Sequence, residues 1–201
     1  VPTFGAELRL GTNPIAVAAP AYEEPPFVFD GATTVVAQNK LALAERLGAS
    51  IPAGWVADDS GTPVMEVSKG LGGAPMLPLG SVRELGSHKG YGLACMVDIM
   101  CGILSGKAFG MVPGRPNFSH FVGAYDIEAF TDLLEFKETM DLFLRTLKQT
   151  PPAPGHERVL VPGQPEWETE NERRAHGIPL HKNVFRWLQD TCNELGVTCV
   201  L

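Results

Sequence analysis

The stretch SHKGYGLACMVDIMCGILSG (residues 87–106) decides how the rest of the chain is read. From about Gly90 to Ser105 it is apolar on nearly every side, which predicts a central, buried helix. It is too short to span a bilayer and it carries Asp98. Just ahead of it, Lys89 is wedged between His88 and Gly90, where the backbone of a starting helix is already partly positive. An exposed cation there is unfavourable by a few tenths to about 1 kcal/mol. The placement makes sense if an anion is held by the lysine and by free backbone N–H groups, with Gly86 and Gly90 letting the backbone come close and Ser87 capping the helix. The alternative is a solvated lysine on a loop.

Working outward, the N-terminal side opens on LGTNPIAVAAP (residues 10–20). Gly11, Thr12 and Asn13 form a turn that feeds the short buried strand IAVAA, and FVF (27–29) reads as a second buried strand. Thr12 and Asn13 offer a hydroxyl and an amide beside a mobile backbone; Asn-Pro is equally an ordinary turn starter. Asp30 ends the second strand, where it can cap the next helix or orient a catalytic imidazole. TTVVAQNKLALAERLGA (33–49) shifts to helical spacing, with Val36, Leu43 and Leu47 on one face and Gly48 as the stop. Residues 51–63 read as irregular, with turns at PAGW and DDSG.

On the C-terminal side, residues 107–118 and the Gly-rich 70–75 read as loops. Residues 120–130 alternate enough for a strand. Residues 131–149 form an amphipathic helix with Leu133, Phe136, Met140, Phe143, Leu144 and Leu147 inward. A proline-rich connector leads to a short strand at 158–161, then to PGQPEW. There Pro162, Gly163 and Gln164 open a charged, solvent-facing helix over 166–175, a helix start that can take a phosphate or amide group or can be a plain turn. A last helix covers 181–195. The order of elements gives a mixed α/β class, without a clean alternating rhythm.

Composition narrows the function classes. The net charge of −7 argues against nucleic acid and acidic membranes. Cys95, Cys101, Cys192 and Cys199 form no CxxC pair and lie at no metal-ligand spacing, so they read as buried reduced thiols of an intracellular protein, a disulfide being the lesser reading. No metal site is expected. GLGGAP at 70–75 fails the dinucleotide fingerprint because Pro75 replaces its last glycine, and GSVRELGSHKG fails the phosphate-loop spacing. No signal peptide is present, so a cytoplasmic protein is expected. The opening VPTFGAELRLGTNP reads like the middle of a longer chain.

Taken together and in order, LGTNPIAVAAP, FVFDGATTVVAQNK, IPAGWVADDSGTP, HKGYGLACMVDIMCGILSG and VLVPGQPEW resemble the type-2 malate/L-lactate dehydrogenase family over about residues 9–197. The resemblance implies a non-Rossmann dinucleotide-binding fold with a largely antiparallel sheet and flanking helices. It implies a cofactor-binding core over 1–150 and a C-terminal unit over 151–201, the whole being the C-terminal part of the family's chain. The implied activity is NAD- or NADP-dependent interconversion of a small 2-hydroxy acid and its 2-oxo acid, in a homodimer. Carried over by position, the cofactor shell is Gly11, Thr12, Asn13, His88, Lys89, Pro162, Gly163 and Gln164, with Gln164 standing where the family usually has Glu. The family's catalytic histidine and a nearby arginine belong to a segment this chain lacks, and Asp30 is the residue that would orient that histidine. A non-catalytic interaction or regulatory module that keeps the scaffold is the alternative.

Overall fold

The computed structural model describes residues 1–69, 73–109 and 119–199. The expected loops at 70–75 and 107–118 therefore fall partly outside the described residues. Two strands, β1 (Ile15–Ala19) and β2 (Phe27–Gly31), pair antiparallel with Ile15 opposite Gly31 and Ala16 opposite Asp30. Among the described residues five α-helices follow: α1 (Gln38–Leu47), α2 (Ser87–Val97), α3 (Leu133–Lys148), α4 (Gln164–His176) and α5 (Lys182–Leu195). The class is mixed α/β, as expected, but the sheet is far smaller than expected. Among the described residues it has two strands, supplemented by single antiparallel bridges at Thr34–Pro78, Ile51–Ser68, Val56–Met76 and Ala57–Pro63.

The core gathers where those bridges meet α1. Val36, Leu41, Ile51 and Val56 are buried together under Trp55, Val64 and Met76, and a second cluster joins Val1, Ala57 and Leu77. The α1 helix starts later than its spacing suggests, because the β-branched run from Thr33 to Val36 stays extended and pairs with the chain around Pro78. Leu41, not Leu43 or Leu47, carries the inward face; the latter two are exposed. Gly48 does end the helix in the left-handed conformation, φ 62°, with its N–H on the Glu45 carbonyl.

Three further expectations are corrected. The α2 helix begins at Ser87 and runs into a wider-wound turn (Asp98–Ile103), where Leu104 N–H reaches back to the Ile99 carbonyl at 2.8 Å. Of this stretch only Ser87, Gly90, Ala94 and Gly102 are buried, while Met96, Ile99, Ile103 and Leu104 are exposed, so it is a surface helix seated through its small residues. Neither 120–130 nor 158–161 forms a strand. The first is exposed chain ending in a short turn (Ile127–Ala129), and the chain just past the second touches β2 through a long bond from Val28 N–H to the Pro162 carbonyl, 3.5 Å. A strand needs a partner along its length, and proline at 162 has no N–H to extend the ladder. The two real strands are not buried either: Val17, Val28 and Phe29 are exposed, because a two-stranded ribbon has no layer to close over its faces.

The α3 helix follows its pattern closely. The Asp132 carboxylate caps it by accepting from Glu135 N–H at 2.9 Å, and Leu144 is its most buried side chain. Phe143 is the exception, half exposed. The α4 helix has no buried residue, as its charged composition demands, and α5 is capped by His181. The four cysteines are free thiols, half-buried rather than buried. No helix among the described residues is long and apolar enough to cross a membrane.

Candidate functional site

The turn at Gly11–Asn13 is held from two sides. The Thr12 carbonyl accepts from both the N–H (2.9 Å) and the hydroxyl (3.1 Å) of buried Thr33. Asn13 takes a positive φ of 39°, which asparagine tolerates, and its Nδ2 donates to the Ala94 carbonyl at 2.8 Å. That carbonyl also accepts the Asp98 N–H of its own helix, so both its lone pairs are used. The turn is thus fastened to α2 at Ala94, five residues or roughly one and a half helical turns beyond Lys89. Its chain continues into β1, which places Ala16 opposite Asp30 on β2.

The turn before α4 rests on β2. Gly163 has φ 88°, and a Cβ there would lie 3.0–3.1 Å from Val28 backbone and side-chain atoms. Gln164 staples this turn: its Oε1 accepts from Val161 N–H (3.3 Å) and its Nε2 donates to Glu168 (2.8 Å), which in turn grips Arg158 in a two-pronged pair. The Arg158 guanidinium and the Gln164 amide hold the Glu168 carboxyl below its usual range.

Between β2 and α4 lies a cavity of about 680 Å³. Asp30, Pro162 and Gly163 line it together with Phe29 and Trp167, and Glu166 and Glu170 add charge at its edge. Gln164 faces a neighbouring cavity of about 250 Å³ that shares Pro25, Pro26, Val161 and Trp167 with the first. Asp30 does not stand at the cap of α1: that position is Ala37, seven residues further on, which offers no side-chain cap, so the capping reading falls. Its carboxylate is left exposed. No histidine lines its cavity.

At the start of α2, Gly86 takes φ 95°. Ser87 does not cap the helix through its side chain; its hydroxyl pairs with that of Thr3 at 3.0 Å. Gly90 admits no ligand either, since a Cβ there would lie 2.4 Å from the Leu79 carbonyl oxygen. The expected free N–H groups are partly spent, Ser87 N–H on Val82 (3.0 Å) and Lys89 N–H on Gly86 (2.8 Å). His88 and Lys89 are both exposed. The structure therefore brings Asp30, Pro162 and Gly163 into one cavity and ties residues 11–13 to the helix of His88 and Lys89. It turns Gln164 inward onto its own turn. Sequence reasoning missed Trp167, which stands in the quoted PGQPEW, and Arg83, which reaches His88 across Gly86. No group of acidic, cysteine or histidine side chains among the described residues is placed to hold a metal.

A mixed α/β chain without the Rossmann glycine fingerprint, carrying this cavity and these turns, has clear relatives. The family model for malate/L-lactate dehydrogenase matches residues 1–189, and the chain belongs to that family. It is 40% identical to a malate dehydrogenase of Pyrococcus horikoshii over 98% of this chain and 56% of that protein. It is 30% identical to an NAD(+) ureidoglycolate dehydrogenase of Escherichia coli, over 94% of this chain and 54% of the other. Among solved structures, malate dehydrogenase from Entamoeba histolytica superposes with a TM-score of 0.83 at 30% identity, covering 100% of this chain and 59% of that one. The chain spans little more than half the length of these relatives. These coverages fix an extent and not a position, and the assignment to the family's C-terminal part is not retained.

Proposed function

We propose that this chain supplies the cofactor-holding portion of an NAD- or NADP-dependent dehydrogenase that interconverts a small 2-hydroxy acid and its 2-oxo acid. The observation that carries the reading is the cavity in which Asp30, Pro162 and Gly163 converge on Phe29 and Trp167. Its aromatic and proline walls suit the flat rings of a dinucleotide, while Lys89, which stands on α2 and not among the residues lining the cavity, is the cation we assign to its diphosphate. The residues present thus fit such a group. Bound, the nicotinamide supplies the acceptor or donor of hydride at the substrate's C2.

The protein's part is to bind, orient and handle one proton. Lys89 and His88 hold the anionic portion of the cofactor, and the backbone at Gly11–Asn13 and Pro162–Gly163 sets its position. Asp30 accepts a hydrogen bond from the acid/base group that takes the hydroxyl proton, fixing its orientation. No histidine is among the residues lining the cavity with Asp30, which supports the reading that this group comes from elsewhere in the protein. The substrate class follows the relatives, whose names carry malate, sulfolactate, lactate and ureidoglycolate. A homodimer is proposed on the same likeness.

A thermal melt with and without NADH and NADPH tests the reading. A ligand that binds only the folded state adds about 2.7 kcal/mol at a hundredfold excess over its dissociation constant. A rise with one cofactor, reduced by Lys89→Ala, is the expected result and names the cofactor. A folded protein whose melting neither cofactor moves would overturn it in favour of the interaction-module alternative.

A further inference from the structure

The first turn of α2 has few backbone donors to spare, since two of its first three N–H groups are engaged. What it does present is basic side chains. Arg83, in the short turn Arg83–Leu85, reaches across Gly86 and places Nη1 2.8 Å from His88 Nδ1. The Lys89 stem folds over the same glycine, so that a Cβ at Gly86 would lie 3.7 Å from Lys89 Cδ. Three basic side chains thus gather over Gly86 on a protein of net charge −7, and neither Arg83 nor Lys89 has an ion pair among the described residues.

The Arg83–His88 contact has a chemical consequence. A guanidinium only donates, so His88 Nδ1 must accept. An imidazole whose Nδ1 accepts is neutral and carries its proton on Nε2. Both partners are exposed, and a solvated contact of this kind adds little to stability. Its effect falls on which edge of the ring donates. We propose that Arg83 is a positioning residue that fixes His88 as the Nε2–H tautomer, so that this N–H and the Lys89 ammonium together hold a diphosphate oxygen of the dinucleotide. The proposal rests on the dehydrogenase reading for the identity of its ligand, while the anion site itself stands on the contacts above.

The test uses the natural protein labelled with ¹⁵N-histidine. Long-range ¹⁵N–¹H correlation at mildly alkaline pH should show His88 as the Nε2–H tautomer, and Arg83→Met should give a mixture. Titration with inorganic diphosphate should move the His88 signals. Arg83→Met should weaken both diphosphate and NADH binding by about threefold to tenfold, because His88 then holds the donating tautomer only part of the time, and Arg83→Lys should recover most of it. An Nδ1–H tautomer in the unaltered protein, or Arg83→Met binding diphosphate as tightly as the unaltered protein, overturns the proposal. Diphosphate binding with neither NADH nor NADPH binding leaves the anion site in place and removes the dehydrogenase reading instead.

Discussion

At the scale of single residues, two glycines in one helix should respond in opposite directions to the same change. Gly90 is buried, and a Cβ there would meet the Leu79 carbonyl oxygen at 2.4 Å and the Leu79 nitrogen at 2.5 Å. Those are backbone atoms, which cannot swing aside. Gly92, two residues on, is exposed with nothing within 4 Å of such a Cβ. Gly90→Ala should therefore destabilise by about 1–3 kcal/mol through overpacking. Gly92→Ala should stabilise by about 0.5–1 kcal/mol, because alanine has less freedom to lose on entering a helix. Denaturant titration of both variants checks the pair, and equal signs would mean that α2 does not seat on Leu79. The sequence reading saw the glycines around Lys89 but assigned Gly90's openness to a ligand. Only the long-range position of residue 79 reveals that the protein's own backbone fills that space. Arg83 was hidden for a similar reason: its link to His88 spans a left-handed glycine, and no regular spacing signals such a contact.

At the scale of elements, the connection between β1 and β2 is clasped onto α3. The buried Asp141 carboxylate accepts from the N–H groups of Tyr22 (2.9 Å), Glu23 (3.0 Å) and Glu24 (3.1 Å). Arg145 bonds Glu23 at 2.7 Å and Glu24 at 3.0 Å, and Lys148 bonds Glu24 at 2.6 Å. The clasp fixes the start of β2 and so the Pro25–Pro26 wall of the cavity. Burial pushes the Asp141 carboxyl up, but the three N–H groups and Arg145 outweigh it and hold it below its usual range. The Lys148 ammonium, with Arg145, does the same for Glu24 against a smaller opposing effect of burial. Carboxyls depressed in the folded state add stability that is fully present above their unfolded value, about 4, and that is lost as pH falls through the folded values. The melting temperature should therefore fall as the pH is taken below about 4, the unfolded carboxyl value. Asp141→Asn should melt several degrees lower at neutral pH and show a shallower acid loss. An unchanged acid profile in that variant would separate Asp141 from the effect. None of this clasp was foreseen, because it joins residues more than a hundred positions apart. The helix that carries it was legible, since a 3.6-residue apolar spacing is a local signal. Strands were less so: residues 120–130 alternate in sequence yet find no partner.

At the scale of the whole molecule, apolarity was legible but its destination was not. The apolar run at 90–105 was read as core, and its Met96, Ile99, Ile103 and Leu104 are instead 49–66% exposed. They lie within a few residues of one another along α2 and the turn that follows, and exposed apolar side chains grouped in this way suit an interaction surface. A chain that spans little more than half of its relatives' length has two candidates to cover such a surface: further protein of its own, or a second copy. The homodimer reading assigns the patch to a second copy. Sedimentation of the 201-residue chain at micromolar concentration should then give a species heavier than its 21.6 kDa. Ile99→Lys combined with Ile103→Lys should return it to monomer without lowering its melting temperature by more than a few degrees, because both side chains are half exposed. Self-association that survives the double substitution would place the contact elsewhere. A monomer in the unaltered chain that binds no apolar dye would mean that the patch is tolerated in water and that the pairing reading fails. A monomer that does bind dye would leave the patch for further protein to cover, and the natural full-length protein should then lose that dye binding.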